Sequence, residues 1–132
     1  VKTEKEQTMS SLTEGRHTGE FILSELPGTL SRDAVTVNVP ANSILEPGTV
    51  LGQVSGSGHH ASYDDSSSDG SEVAAGILYD TLVNEGDAPA ELPGVVINFG
   101  AEVRKDDLVW GDGVDDAGGL TDLAALFIKA RD

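Results

Sequence analysis

Ala74-Ala75-Gly76-Ile77-Leu78-Tyr79-Asp80, continued by Thr81, Leu82 and Val83, is the stretch around which the rest of this sequence arranges itself. Three small residues followed by Ile77, Leu78 and Tyr79 predict a buried strand that another backbone approaches closely. Two further apolar segments can pair with it, Thr49 to Val54 and Val95 to Val109, both bounded by glycine, proline or acidic turn residues. Before them, Val35, Val37 and Val39 alternate with Thr36 and Asn38, the pattern of a half-buried strand that Pro40 ends. Gly94 to Phe99 predicts another strand, with Gly100 permitting a kink and Ala101-Glu102-Val103 continuing it.

Toward the C-terminus, Leu120, Leu123, Ala124 and Phe127 fall at i, i+3, i+4 and i+7 and predict one short helix. Asp122 near its start and Lys129 and Arg131 at its end suit the helix dipole. His59 to Gly70, Asn84 to Pro93 and Gly111 to Gly119 are expected to be loops. At the other end, Val1 to Glu20 is charged and shows no apolar period, so it reads as a flexible arm. The expected organisation is an arm over residues 1–33 and a mainly β, largely antiparallel domain over residues 34–132, closed by the helix.

Composition narrows the function. The 132 residues suit one domain, and 8 Lys and Arg against 23 Asp and Glu give a formal charge of −15 that repels nucleic acid and anionic membrane surfaces. No cysteine is present, which excludes disulfides, thiolate nucleophiles and thiolate metal sites. No apolar run approaches the ~20 residues of a membrane span, and Val1 to Ser11 is too polar for a signal peptide. A soluble chain without an export address is expected.

The chemical motifs fail when tested. His59 and His60 stand next to each other, so on a strand they point apart, whereas zinc needs three or four converging ligands. Asp64, Ser66 and Ser68 imitate a calcium loop, but Asp69 holds the glycine position and Ala75 the glutamate position, and Asp112 to Asp116 fails likewise. Gly56-Ser57-Gly58 opens no helix, and no serine lies in a nucleophile elbow. No catalytic residue, cofactor or metal is expected.

Phe21-Ile22-Leu23 interrupts the polar arm abruptly. It either packs back onto its own domain or is offered as a strand to the sheet edge of a partner. Burying the three side chains is worth roughly 5–8 kcal/mol, while ordering half a dozen backbone residues costs about 6–12 kcal/mol. A single arm would bind weakly, and several arms on one oligomer would hold firmly.

Taken together, three stretches resemble the head decoration proteins of tailed bacteriophages, the lambda-like D protein family. They are Gly19 to Glu25 with Ser31-Arg32-Asp33; Gly48 to Gly52; and Ala74 to Asp80 followed by Ala101-Glu102-Val103 and Leu108-Val109-Trp110. The resemblance implies a compact, β-clip-like domain that forms a homotrimer. It implies attachment to the major capsid protein at three-fold positions on the exterior of the expanded capsid, after synthesis in the host cytoplasm, and stabilisation against DNA pressure. It places capsid contact in the arm at Phe21, Ile22 and Leu23, and puts Gly76, Ile77, Leu78 and Trp110 in the fold or at trimer contacts. This chain departs from the short members in its longer arm and its acidity, and Met9 offers an alternative start. Two other classes remain open: a biotinyl or lipoyl carrier barrel, whose modified lysine would have to be Lys105 or Lys129, and a hydrolase working through loop carboxylates.

Overall fold

A computed structural model describes residues 14–132. The chain is mainly β. Its strands are β1 (Ile22–Glu25), β2 (Arg32–Val39), β3 (Ser43–Leu45), β4 (Val50–Gln53), β5 (His60–Ser62), β6 (Ala74–Leu78), β7 (Leu82–Asn84), β8 (Ala90–Ile97), β9 (Ala101–Arg104) and β10 (Ile128–Arg131). A one-turn helix, α1 (Gly28–Ser31), joins β1 to β2, and a longer one, α2 (Asp116–Ala124), precedes β10.

Five strands close a barrel in the order β2-β5-β4-β6-β8, while β1-β9-β10 form a second sheet and β3-β7 a two-stranded ribbon. The central reading of β6 holds. It pairs antiparallel with β4 and β8, and a Cβ on Gly76 would stand 3.2 Å from the Ile97 carbonyl oxygen, the close backbone approach that its small residues predict. The two-residue period of the strands then sorts neighbours into separate cores. Val37, Val39, Leu51, Leu78 and Val96 cluster together, all from barrel strands. Their neighbours Val50, Ile77 and Ile97 instead join Phe21, Val103, Leu123 and Ile128, between the barrel and the β1-β9-β10 sheet with α2. A strand buried on both faces reads as continuously apolar, which is why Ile77-Leu78 lacked alternation.

Several expectations need correction. The strand expected from Gly94 begins at Ala90 and runs through Pro93. Proline fits there because that half of β8 pairs with β2 alone, β6 reaching only Val96 and Ile97. The expected loop from His59 contains β5, a short strand that a polar sequence conceals. Helix α2 stops at Ala124, earlier than its apolar spacing predicts: Phe127 takes a left-handed φ of 62°, and Ile128–Arg131 leave as a strand parallel to β9. Lys129 and Arg131 therefore serve a strand and not a helix end, and Arg131 pairs with Glu102 at 2.8 Å. The helix also starts earlier than expected, at Asp116 within the expected Gly111–Gly119 loop, so Asp122 lies in its last turn and the Asp115 carboxylate caps it, accepting from the Gly118 N–H at 3.0 Å.

Candidate docking surface

The segment expected to dock begins with a turn. Gly19, at φ 69°, donates its N–H to the Tyr79 carbonyl at 3.0 Å, and the Ile22 N–H returns to the Gly19 carbonyl at 3.0 Å. Phe21 is thereby dropped into the second core with 0% exposure, its carbonyl held by the Arg104 N–H at 2.8 Å. β1 then runs antiparallel to β9, with a bulge between Ile22 and Ser24 that leaves Ile22 against the core and Leu23 45% exposed.

Among the described residues the chain is tied to the domain from Arg16 onward: Arg16 donates to the Asp107 carbonyl at 2.7 Å and the Thr18 hydroxyl to Asp80 at 2.6 Å. Phe21 and Ile22 pack back onto their own domain, Phe21 in one cluster with Ile77, Val103, Leu123 and Ile128 and Ile22 against it, so the domain itself supplies the burial that a foreign sheet would offer. Of the triplet only Leu23 faces outward. The part of the arm in residues 1–13, with Met9, lies outside the described residues.

Leu23 is not alone at the surface. Leu26 lies over the turn at Gly100, where its Cδ1 would stand 2.4 Å from an added Cβ and where its N–H meets the Gly100 carbonyl at 2.9 Å. Phe99 and Phe127 meet edge to face with centroids 5.5 Å apart, and the Ala101 N–H holds the Phe127 carbonyl at 3.2 Å. Leu26 is 43% exposed, Phe99 39% and Phe127 70%. The end of β1, the 98–100 turn and the turn into β10 thus converge in one apolar face on a chain of charge −15. Charge is quenched beside it. Arg32 binds both oxygens of Glu25, and that hydrogen bond, with a lesser one from Ser31, holds the Glu25 carboxyl below the usual carboxylate range. Periodicity missed this face because its residues lie in turns.

The other four named residues are inside or beside the core. Ile77 and Leu78 are fully buried, Gly76 is closed in by β8, and Trp110 stacks edge-on against Tyr63 at 5.7 Å and over Gly119.

The acidic loops have structural work. Asp64 accepts from the hydroxyl and N–H of Ser66, and Asp69 from those of Ser71, contacts that lower both carboxyl pKa values. Asp122 accepts from the Ala74 N–H at 2.9 Å and Asp65 from the Asp115 N–H at 2.9 Å. His59 reaches out to Asn38 at 3.2 Å and Glu91 at 3.3 Å, while His60 is buried. Lys105 sits in a 3₁₀ turn after β9, paired with Asp132 at 3.0 Å, and offers no hairpin tip for a carrier. Among the described residues no group of three or more His, Asp or Glu is placed to hold a metal, and no helix is long and apolar enough to cross a membrane.

Residues 11–128 match the family described as bacteriophage lambda head decoration protein D. The chain belongs to that family. No curated protein matches it. Membership carries a role in decorating the phage head, in association with the capsid of the virion, and the decoration family is one of structural capsid proteins, not of known enzymes. An apolar face beside a neutralised ion pair suits that role.

Proposed function

We propose that this decoration protein acts as a homotrimer bound to the major capsid protein at three-fold positions on the exterior of the expanded capsid. It stabilises the shell against the pressure of packaged DNA without chemistry. Family membership over residues 11–128 carries this reading. Two features of the chain support it. A charge of −15 agrees with a place on the side of the shell away from DNA. The face of Leu26, Phe99 and Phe127 agrees with burial against another protein surface.

The capsid contact proposed for Phe21, Ile22 and Leu23 takes a changed form. Phe21 and Ile22 anchor β1 from below, and Leu23 presents outward from a strand that pairs with β9 on one side and with no described strand on the other. Such an edge can accept a capsid strand by β-augmentation. Because only the assembled shell is bound, each engaged copy adds its binding free energy to shell stability by linkage.

Sedimentation of the purified chain, alone and with expanded shells, tests the proposal. A trimer that co-sediments with shells and raises their melting temperature is expected, and Leu23→Asp should abolish co-sedimentation while the trimer stays folded. A monomer at micromolar concentration would overturn the trimer, and full attachment by Leu23→Asp would overturn the β1 edge as the contact.

A further inference from the structure

The barrel is unevenly sewn. β2 and β8 pair over eight positions from Arg32↔Ile97 to Val39↔Ala90, and β4 pairs with β5 at Leu51, Gly52 and Gln53. The closing seam between β2 and β5 consists of the single pair Val37↔His60. Val37 is fully buried and His60 is 5% exposed, with its Nδ1 buried and without a hydrogen-bond partner among the described residues. The backbone ladder of the barrel therefore closes through one residue pair, with the His59–Asn38 side-chain contact at 3.2 Å beside it, and one of the pair is a titratable ring whose buried nitrogen has no partner among the described residues.

We propose that the β2–β5 seam is an acid-sensitive latch, released when His60 takes up a proton. The groups around the ring decide the sign. β2 brings Asp33, β4 the uncharged Gln53, β6 the small Ala74 and Ala75, and Asn98 lies beside the same recess. Asp33 is the one charge that favours the imidazolium, and its carboxylate already accepts from the Asn98 amide at 2.6 Å. Glu91 on β8 is engaged by the neighbouring His59. Burial outweighs Asp33 and pushes the His60 pKa below its ordinary 6.5. A ring freed by opening recovers the ordinary value. The closed seam is thus fully favoured above pH 6.5 and loses ground as pH falls from there through the depressed value. With one proton involved, the opening equilibrium grows by up to about tenfold per pH unit across that window.

Amide hydrogen exchange by NMR on the intact chain tests this, with intrinsic rates corrected for pH. Between pH 7.5 and 5.5 the protection of β5, at Ala61 and Ser62, should fall several-fold to tenfold relative to Val95, Val96 and Ile97 in β8, and His60→Gln should abolish that difference. Should the variant fail to fold, titration of the His60 ring in the wild type decides. A ring titrating at or above 6.5, β5 and β8 losing protection in step, or the same selective loss in His60→Gln would each overturn the latch.

Discussion

Arg32 holds Glu25 side-on, its Nε reaching Glu25 Oε2 at 3.1 Å while its second nitrogen takes the other carboxylate oxygen. The same guanidinium lies 4.1 Å from the centre of the Tyr79 ring, so this pair binds the end of β1 to the stretch after β6. Glu25 is depressed in the folded chain, so its contribution is complete above its ordinary 4.5 and is lost as pH falls through the lowered value. Glu25→Gln should cost about 1 kcal/mol at pH 7, less than the ~1.5–3 kcal/mol of a buried charged hydrogen bond because Arg32 is partly exposed. The gap between variant and wild type in urea denaturation should close below pH 4.5. An equal gap at pH 3 and pH 7 would show that the pair contributes through packing alone.

Phe21→Ala should destabilise the isolated domain by about 3–5 kcal/mol, the cost of emptying a site at 0% exposure among Ile77, Val103 and Leu123. Phe21→Asp should prevent folding, not merely docking. Denaturant midpoints check both, and a Phe21→Ala midpoint equal to the wild type would mean that the ring leaves the core in solution.

Phe127 combines a left-handed backbone with a largely exposed ring, a backbone arrangement that costs about 1–3 kcal/mol. Phe127→Gly should leave the domain as stable as before or stabilise it by about 1 kcal/mol, while weakening self-association or shell binding. Thermal melts with sedimentation separate the two effects. A variant that melts much earlier would assign Phe127 to folding.

Gly119→Ala sets two effects against each other. Alanine in a helix gains about 1 kcal/mol over glycine, but its Cβ would lie 2.4 Å from Trp110 Cζ3, and overpacking costs about 1–3 kcal/mol. Trp110 is pinned by Tyr63, whose hydroxyl donates to the Asp115 carbonyl at 2.9 Å, so the clash should win. A lower melting temperature and shifted tryptophan emission are expected, and a higher melting temperature would show that the ring moves aside.

What the residues alone determined was local and periodic. Alternation placed Val35, Val37 and Val39 on a strand, the small residues before Ile77 marked the central one, and the order of Gly19 to Glu25, Gly48 to Gly52 and Ala74 to Asp80 pointed to the family. Tertiary structure decided the rest, since neither burial of an isolated apolar triplet nor pairing of a short polar strand is encoded within the segment itself. Phe21 is core because Ile77, Val103, Leu123 and Ile128 from four other elements gather around it, and His60 closes a barrel because Val37 of β2 and Gln53 of β4 flank it on either side. Leu26, Phe99 and Phe127 form one face only because three turns meet around Gly100, and turns carry no hydrophobic period from which that meeting could be read.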